Sequence, residues 1–227
     1  MPDFETLTGL VSRLYIPLGR FTEGFVRGKL RHDLVYAYLL QHHDWLPKTG
    51  LLLDLGCGRG ILLSLLATAI RSGVLPGLEL RLMGIERRRA DAGAARTALG
   101  HRATILQGDI CQTVLPACHT IVLLDVLLYL TKSEQEAVLV RAASTLEPGG
   151  VLILREADAD AGWRFRLTQT AETLCAWSRG LFRQRYHYRS ALAWRSLLES
   201  LGFTVVTAPM SEGTPFSNIL FTARKPR

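Results

Sequence analysis

Leu52-Leu53-Asp54-Leu55-Gly56-Cys57-Gly58-Arg59-Gly60 runs from an apolar strand signal into three alternating glycines, and Ile61 to Arg71 continues with an apolar helical stripe. Glycines are needed where a turn uses positive φ or where a ligand comes close to the backbone, and the start of the following helix directs unpaired amides at whatever binds there. A dinucleotide fingerprint, G-x-G-x-x-G, is the competing reading. It fails at Ile61, which stands in the place of the last glycine. The spacing G-x-G-x-G, with Asp54 two residues before the first glycine, argues against a nicotinamide cofactor.

Outward from this turn the chain alternates short apolar runs with helical patterns, the rhythm of βα units wound onto a parallel sheet. The runs are Leu51 to Leu55, Leu80 to Ile85, Ala103 to Leu106, Thr120 to Leu124 and Val151 to Leu154. Helices are predicted over Ile61 to Arg71, Arg88 to Leu99 and Ser133 to Leu146, the last entered through Thr131-Lys132-Ser133-Glu134, which fits a capping box. Leu146-Glu147-Pro148-Gly149-Gly150 reads as a turn that ends this helix before a buried strand. A further helix is predicted from a Ser190 cap to Gly202, and strands Phe203 to Ala208 and Asn218 to Ala223 are close enough to form an antiparallel hairpin.

The whole strand-turn-helix unit resembles the first motif of the class I S-adenosylmethionine-dependent methyltransferases, which is similar to Asp54-Leu55-Gly56-Cys57-Gly58-Arg59-Gly60. The resemblance implies an α/β, Rossmann-like, doubly wound seven-stranded sheet with an antiparallel last strand, in agreement with the hairpin. It implies S-adenosylmethionine as cofactor, with S-adenosylhomocysteine as product. Residues 1–49, helical in pattern, are expected to form an N-terminal lid or extension, and residues 50–227 the methyltransferase domain, with a helical insertion over 157–189 after the fifth strand.

Met83-Gly84-Ile85-Glu86 delivers a carboxylate at the C-terminal end of an apolar strand, where open α/β sheets bind ligands, and a carboxylate accepts hydrogen bonds from both hydroxyls of a ribose. By the resemblance Glu86 is the ribose-binding acid. Asp109 in Gln107-Gly108-Asp109-Ile110 would accept from the adenine amino group while Ile110 packs on the ring. Asp54, Gly56, Cys57, Gly58, Gly60 and Arg87 complete the cofactor candidates around the turn and the second strand. Asp125, at the end of the fourth strand, is either a shaper of the cofactor's cationic methionine end or a cap on the next helix.

Methyl transfer is an in-line displacement in which positioning and desolvation do most of the work, and an acceptor that is already anionic needs no base. Where a proton must leave, His187, His32 and Tyr129 are candidates, although a lone histidine is more often structural. Residues 21–31 combine Phe21 and Phe25 with glycines and cations, which suits either a lid whose Lys29 or Arg31 pairs with the methionine carboxylate or a basic solvated helix. In the insertion, Arg164, Arg166, Arg179, Arg183, Arg185 and Arg189 lie among Trp163, Phe165, Tyr186 and Tyr188. They suit an acidic aromatic acceptor or an acidic carrier protein, or else a packed surface helix.

Composition narrows the class. The chain has 227 residues, 48% hydrophobic, which fits one globular domain. Its acidic start and its apolar runs, all shorter than a membrane span, lead to the expectation of a cytoplasmic protein without a transmembrane helix. The four cysteines form no Cys-x-x-Cys pair, which argues against disulfides and against a metal site. Net charge is +7 with lysine at only four positions, so arginine supplies 23 of the 27 basic residues. The bias comes from codon use or from an anionic partner. No Asn-Pro-Pro-Tyr or Asp-Pro-Pro-Tyr follows the fourth strand and no Pro-Cys nucleophile is present, which argues against nucleic-acid acceptors. Arg155-Glu156 and Gly213-Thr214-Pro215-Phe216-Ser217-Asn218 also resemble methyltransferases of bacterial aryl-polyene pathways, implying an aromatic acceptor. The reading is a methyltransferase acting on a small-molecule or carrier-bound acceptor. The alternatives are an RNA methyltransferase and a cofactor-binding partner protein without catalysis.

Overall fold

The computed structural model describes residues 2–178 and 185–227, with side chains over 2–171 and 185–227; Arg179 and Arg183 therefore lie outside the described residues. Seven strands form one sheet in the order β3-β2-β1-β4-β5-β7-β6. By contacts the chain divides into two compact units, Met1–Val122 and Leu123–Arg227.

The first unit carries three helices ahead of the sheet, α1 (Phe4–Arg13), α2 (Arg20–His32) and α3 (Leu34–Gln41), then β1 (Thr49–Leu55), α4 (Ile61–Arg71), β2 (Glu79–Glu86), α5 (Arg89–Leu99), β3 (Thr104–Gln107) and most of β4 (Cys118–Leu124). The predicted α4 matches residue for residue. Its Leu62, Leu63, Leu65, Leu66 and Ala69 are all buried, so the apolar stripe read in the sequence faces the core. β1 pairs in parallel with β2 on one side and with β4 on the other, from Leu52↔Thr120 to Asp54↔Val122. Buried on both faces, β1 reads as a continuous apolar run rather than an alternating one.

The second unit holds α6 (Lys132–Thr145), β5 (Leu146–Ala157), α7 (Trp163–Ser178), α8 (Ala191–Ser200), β6 (Thr204–Pro209) and β7 (Asn218–Arg224). The Thr131–Glu134 capping box is formed in both directions, and Ser190 caps α8 through the Ala193 amide at 3.2 Å. β7 runs antiparallel to both β5 and β6, as the hairpin required.

One expectation is corrected. No turn separates α6 from its strand, because β5 begins at Leu146 and takes in Pro148, Gly149 and Gly150. The C-terminal tail is the reason. Gly149 donates its amide to the Pro226 carbonyl (3.1 Å) and Lys225 donates to the Gly150 carbonyl (2.9 Å), so these residues are laddered rather than looped. The Lys225 ammonium then donates to the carbonyls of Ala143 (2.8 Å) and Leu146 (2.6 Å), satisfying and countering the negative end of α6.

Candidate active site

Three strand ends of the first unit meet at one residue, Glu86. Gly56, Gly58 and Gly60 have φ of 75°, 54° and 75°, so the turn after β1 is built in the region that only glycine enters without penalty. The amides of Gly56 and Cys57 donate to the Ile85 carbonyl at 2.7 and 3.1 Å, fastening the turn to the end of β2. Glu86 follows at once. One of its carboxylate oxygens accepts the Gly58 amide at 2.9 Å and the other accepts the Arg88 amide at 2.7 Å. The Glu86 carbonyl takes the Gly108 amide at 3.0 Å, bringing in the end of β3. A methyl group built on Gly58 would meet nothing within 4 Å, so the space beside the turn is open there. Each Glu86 oxygen keeps a lone pair for a further donor.

Asp54 is buried beneath the turn. Burial, and secondarily the Glu86 charge, push its carboxyl up to about 7. Desolvation chiefly, with Asp54 and Glu86 adding to it, pushes the Cys57 thiol up as well and disfavours its thiolate. Its sulfur needs the glycine at 84, since a Cβ there would stand 2.6 Å from Cys57 Sγ and 3.0 Å from Ile105 Cδ1. Asp109 accepts the Cys111 amide at 2.9 Å through its side chain, while Ile110 is buried. Arg87 is exposed.

Tyr15 escaped the sequence reading. Fully buried, it donates its hydroxyl to the Arg59 carbonyl (2.9 Å) and shares a hydrogen bond with Ser64 Oγ (3.0 Å), joining the residue after α1 to the glycine turn and to α4. Burial raises its phenol well above the ordinary range. Arg59 is held from further sides, by Asp91 at 3.2 Å and by the Phe25 ring, whose centroid lies 5.0 Å from the guanidinium carbon. No local pattern signals Tyr15, whose partners are 44 and 49 residues away.

The remaining candidates of the first unit belong to the helical extension. Lys29 pairs with Asp33 at 2.9 Å, Arg31 pairs with Glu5, and His32 is exposed at the end of α2. Both cations thus have carboxylate partners of their own.

In the second unit, Asp125 stands at the end of β4 with φ 57°, the one non-glycine in that region among the described residues. Its carboxylate is gripped by the Arg155 guanidinium, 1% exposed, and its amide donates to the Arg155 carbonyl at 3.0 Å. The capping role considered for Asp125 falls instead to buried Glu156, which accepts the amides of Val126 (3.2 Å) and Leu127 (2.8 Å). Burial first, then the charge of Asp125, raises its carboxyl well above the usual range. Gln135, fully buried, ties the same loop to the segment after α7, donating to the carbonyls of Leu127 (3.0 Å) and His187 (2.7 Å) and accepting from Arg189 (2.8 Å). Around it the rings of Tyr129 and Tyr186 lie 5.6 Å apart, Tyr186 and Tyr188 6.0 Å, and Phe165 and Tyr188 4.8 Å edge to face. The described residues include no group of three or more His, Cys, Asp or Glu able to hold a metal.

Residues 24–208 match the family model of a methyltransferase domain. The chain belongs to that family. Its sheet order and glycine turn are those of the class I S-adenosylmethionine-dependent methyltransferases, and S-adenosylmethionine is the cofactor of this class. Among solved structures, the methyltransferase-family chain is similar to magnesium protoporphyrin IX methyltransferase from Synechocystis PCC 6803 with bound S-adenosylhomocysteine, at 25% identity over 96% of this chain and 94% of that one, TM-score 0.63. It shares the fold of human N-acetylserotonin methyltransferase in complex with S-adenosylmethionine, at 20% identity over 97% of this chain and 57% of that one, TM-score 0.62. In sequence, 108 residues are 36% identical to the carboxy-S-adenosyl-L-methionine synthase of Chromohalobacter salexigens, covering 45% of this chain and 38% of that protein.

Proposed function

We propose that the chain binds S-adenosylmethionine on the glycine turn, with Glu86 gripping the ribose hydroxyls, Asp109 and Ile110 receiving the adenine, and the methyl group passing to a small-molecule or carrier-bound acceptor. The observation that carries this reading is the meeting of Gly58 and Glu86 at 2.9 Å beneath open space. The cofactor supplies an electrophilic methyl on a positive sulfur; the protein's residues bind, orient and exclude water. The Glu86 carboxylate, already fixed by two amides, meets a diol without reorganising. The rings of Tyr129, Phe165, Tyr186 and Tyr188 offer π-faces to an aromatic acceptor. Arg166 is exposed and suits an acidic group on the acceptor or its carrier, whereas Arg189 is spent on Gln135 and Glu136. No base is assigned: His187 is fixed through its backbone to Leu128 and Gln135, and a phenolate or carboxylate acceptor needs none.

Calorimetry with S-adenosylhomocysteine tests the reading. Wild type is expected to bind, and Glu86→Ala to lose roughly tenfold to a hundredfold in affinity, the loss typical of charge-assisted hydrogen bonds. A folded wild type that gives no heat and no thermal shift with the ligand overturns the assignment.

A further inference from the structure

The elbow between α1 and α2 exposes side chains that a water-facing turn has no reason to carry. Phe21 is 85% exposed and Ile16 56%, and Leu10 on α1 and Phe25 on α2 are 38% exposed each. The turn itself is hydrogen-bonded. Pro17 lies in a short 3-10 turn over Ile16–Leu18, closed by Leu18 and Gly19 amides donating to the Tyr15 and Ile16 carbonyls at 3.0 Å, while Tyr15 beneath it is fully buried. The two apolar side chains are therefore held out at little further loss of conformational entropy.

The charges around them are of one effective sign. Every acid of α2 and its cap is matched, Glu23 by Arg27 and Asp33 by Lys29, and Glu5 on α1 is matched by Arg31. Asp3 caps the far end of α1, a helix of 10 residues and so roughly 15 Å away. Arg13 and Arg20, both exposed, flank the elbow and make no ion pair among the described residues. Protruding apolar side chains between unmatched arginines are complementary to a bilayer whose headgroups are anionic and whose acyl region lies a few ångströms below. A nucleic acid would use the arginines but gain nothing from Ile16. A symmetric second copy would present the same patch, whose acids Glu5, Glu23 and Asp33 are already matched, and so gives Arg13 and Arg20 no unmatched carboxylate there.

We infer that this elbow docks the protein onto anionic phospholipid surfaces, with Ile16 and Phe21 entering the interface and Arg13 and Arg20 meeting lipid phosphates. The docking does not depend on methyl transfer, so it stands or falls separately from the proposed activity. Co-flotation of the full chain with vesicles of phosphatidylcholine alone, and with about 30 mol% phosphatidylglycerol, tests it. Wild type is expected to float with the anionic vesicles only, and to be released as salt is raised. Arg13→Gln with Arg20→Gln is expected to lower partitioning roughly 30-fold, and Ile16→Ser with Phe21→Ser about tenfold or more. Val114→Ser, which removes an equally exposed apolar side chain in the loop after β3, should leave it unchanged. Melting temperatures equal to wild type confirm that the variants fold. Equal binding to neutral vesicles, no binding at all, a Val114→Ser loss as large as that of the elbow variants, or a dimer in sedimentation that the elbow variants dissociate without any vesicle binding each overturn the proposal.

Discussion

Replacing Asp54 by asparagine isolates the charge that the fold stores under the glycine turn. The ordinary carboxyl value is 3.8, and in the folded chain it is about 7, raised by burial and then by Glu86. Below the ordinary value both the folded and the unfolded chain hold the proton, and the group has no effect on stability. Between 3.8 and about 7 the unfolded chain releases a proton that the folded chain keeps, so this group's contribution becomes steadily more unfavourable as pH rises and levels off above about 7. The span of about three pH units corresponds to about 4 kcal/mol at most, of which about 2–3 kcal/mol develops between pH 5 and pH 8. Asparagine keeps the shape and removes the titration. Urea denaturation of both proteins at several pH values, without cofactor, should show the advantage of Asp54→Asn growing by that amount from pH 5 to pH 8. A stability difference that stays flat across this range refutes the reasoning, since every other titrating group is common to both chains.

Tyr15→Phe should cost about 1–3 kcal/mol in denaturant unfolding, because the Arg59 carbonyl and the Ser64 hydroxyl both lose a buried partner. It should also weaken S-adenosylhomocysteine in calorimetry, which a purely global effect on stability would not do at temperatures where the variant is fully folded. Gly84→Ala should cost about 1–3 kcal/mol by overpacking Cys57, and Cys57→Ala should restore most of it in a double-mutant cycle of unfolding free energies.

What the sequence made legible follows from the range of the interactions involved. Helix α4, the capping box at Thr131 and the Ser190 cap are decided within a few residues, and the structure places them where pattern and cap chemistry put them. The meeting of the turn with Glu86 was legible because parallel strands carry their carboxyl ends to one edge. The start of β5 was not, because the partners of Gly149 and Gly150 lie in the tail, more than 70 residues on, and a Pro-Gly-Gly sequence alone reads as a turn. Asp125 was seen but its environment was not: the arginine that neutralises it is 30 residues away on β5, and only a register shows that the two meet. Gln135 lay hidden for a similar reason, as a polar residue on a helix whose burial depends on His187 and Arg189 more than 50 residues later.

The two units handle buried charge in opposite ways, and the difference bears on what each can do. Arg155 is fully desolvated, and it is tolerated because Asp125 supplies a matched carboxylate in a backbone conformation that the pairing itself helps to hold. That pairing joins the loop after β4 to β5 through a matched ion pair. Around Glu86 the reverse holds: the described contacts to its carboxylate are amides, and the neighbouring Asp54 is pushed toward its neutral form rather than paired. A site arranged in this way holds the Glu86 carboxylate by two amides beside open space while burial pushes Asp54 toward its neutral form. Such an arrangement favours a neutral polyol such as a ribose over an anion, which any ligand approaching the Glu86 side of the turn as a phosphate would have to overcome.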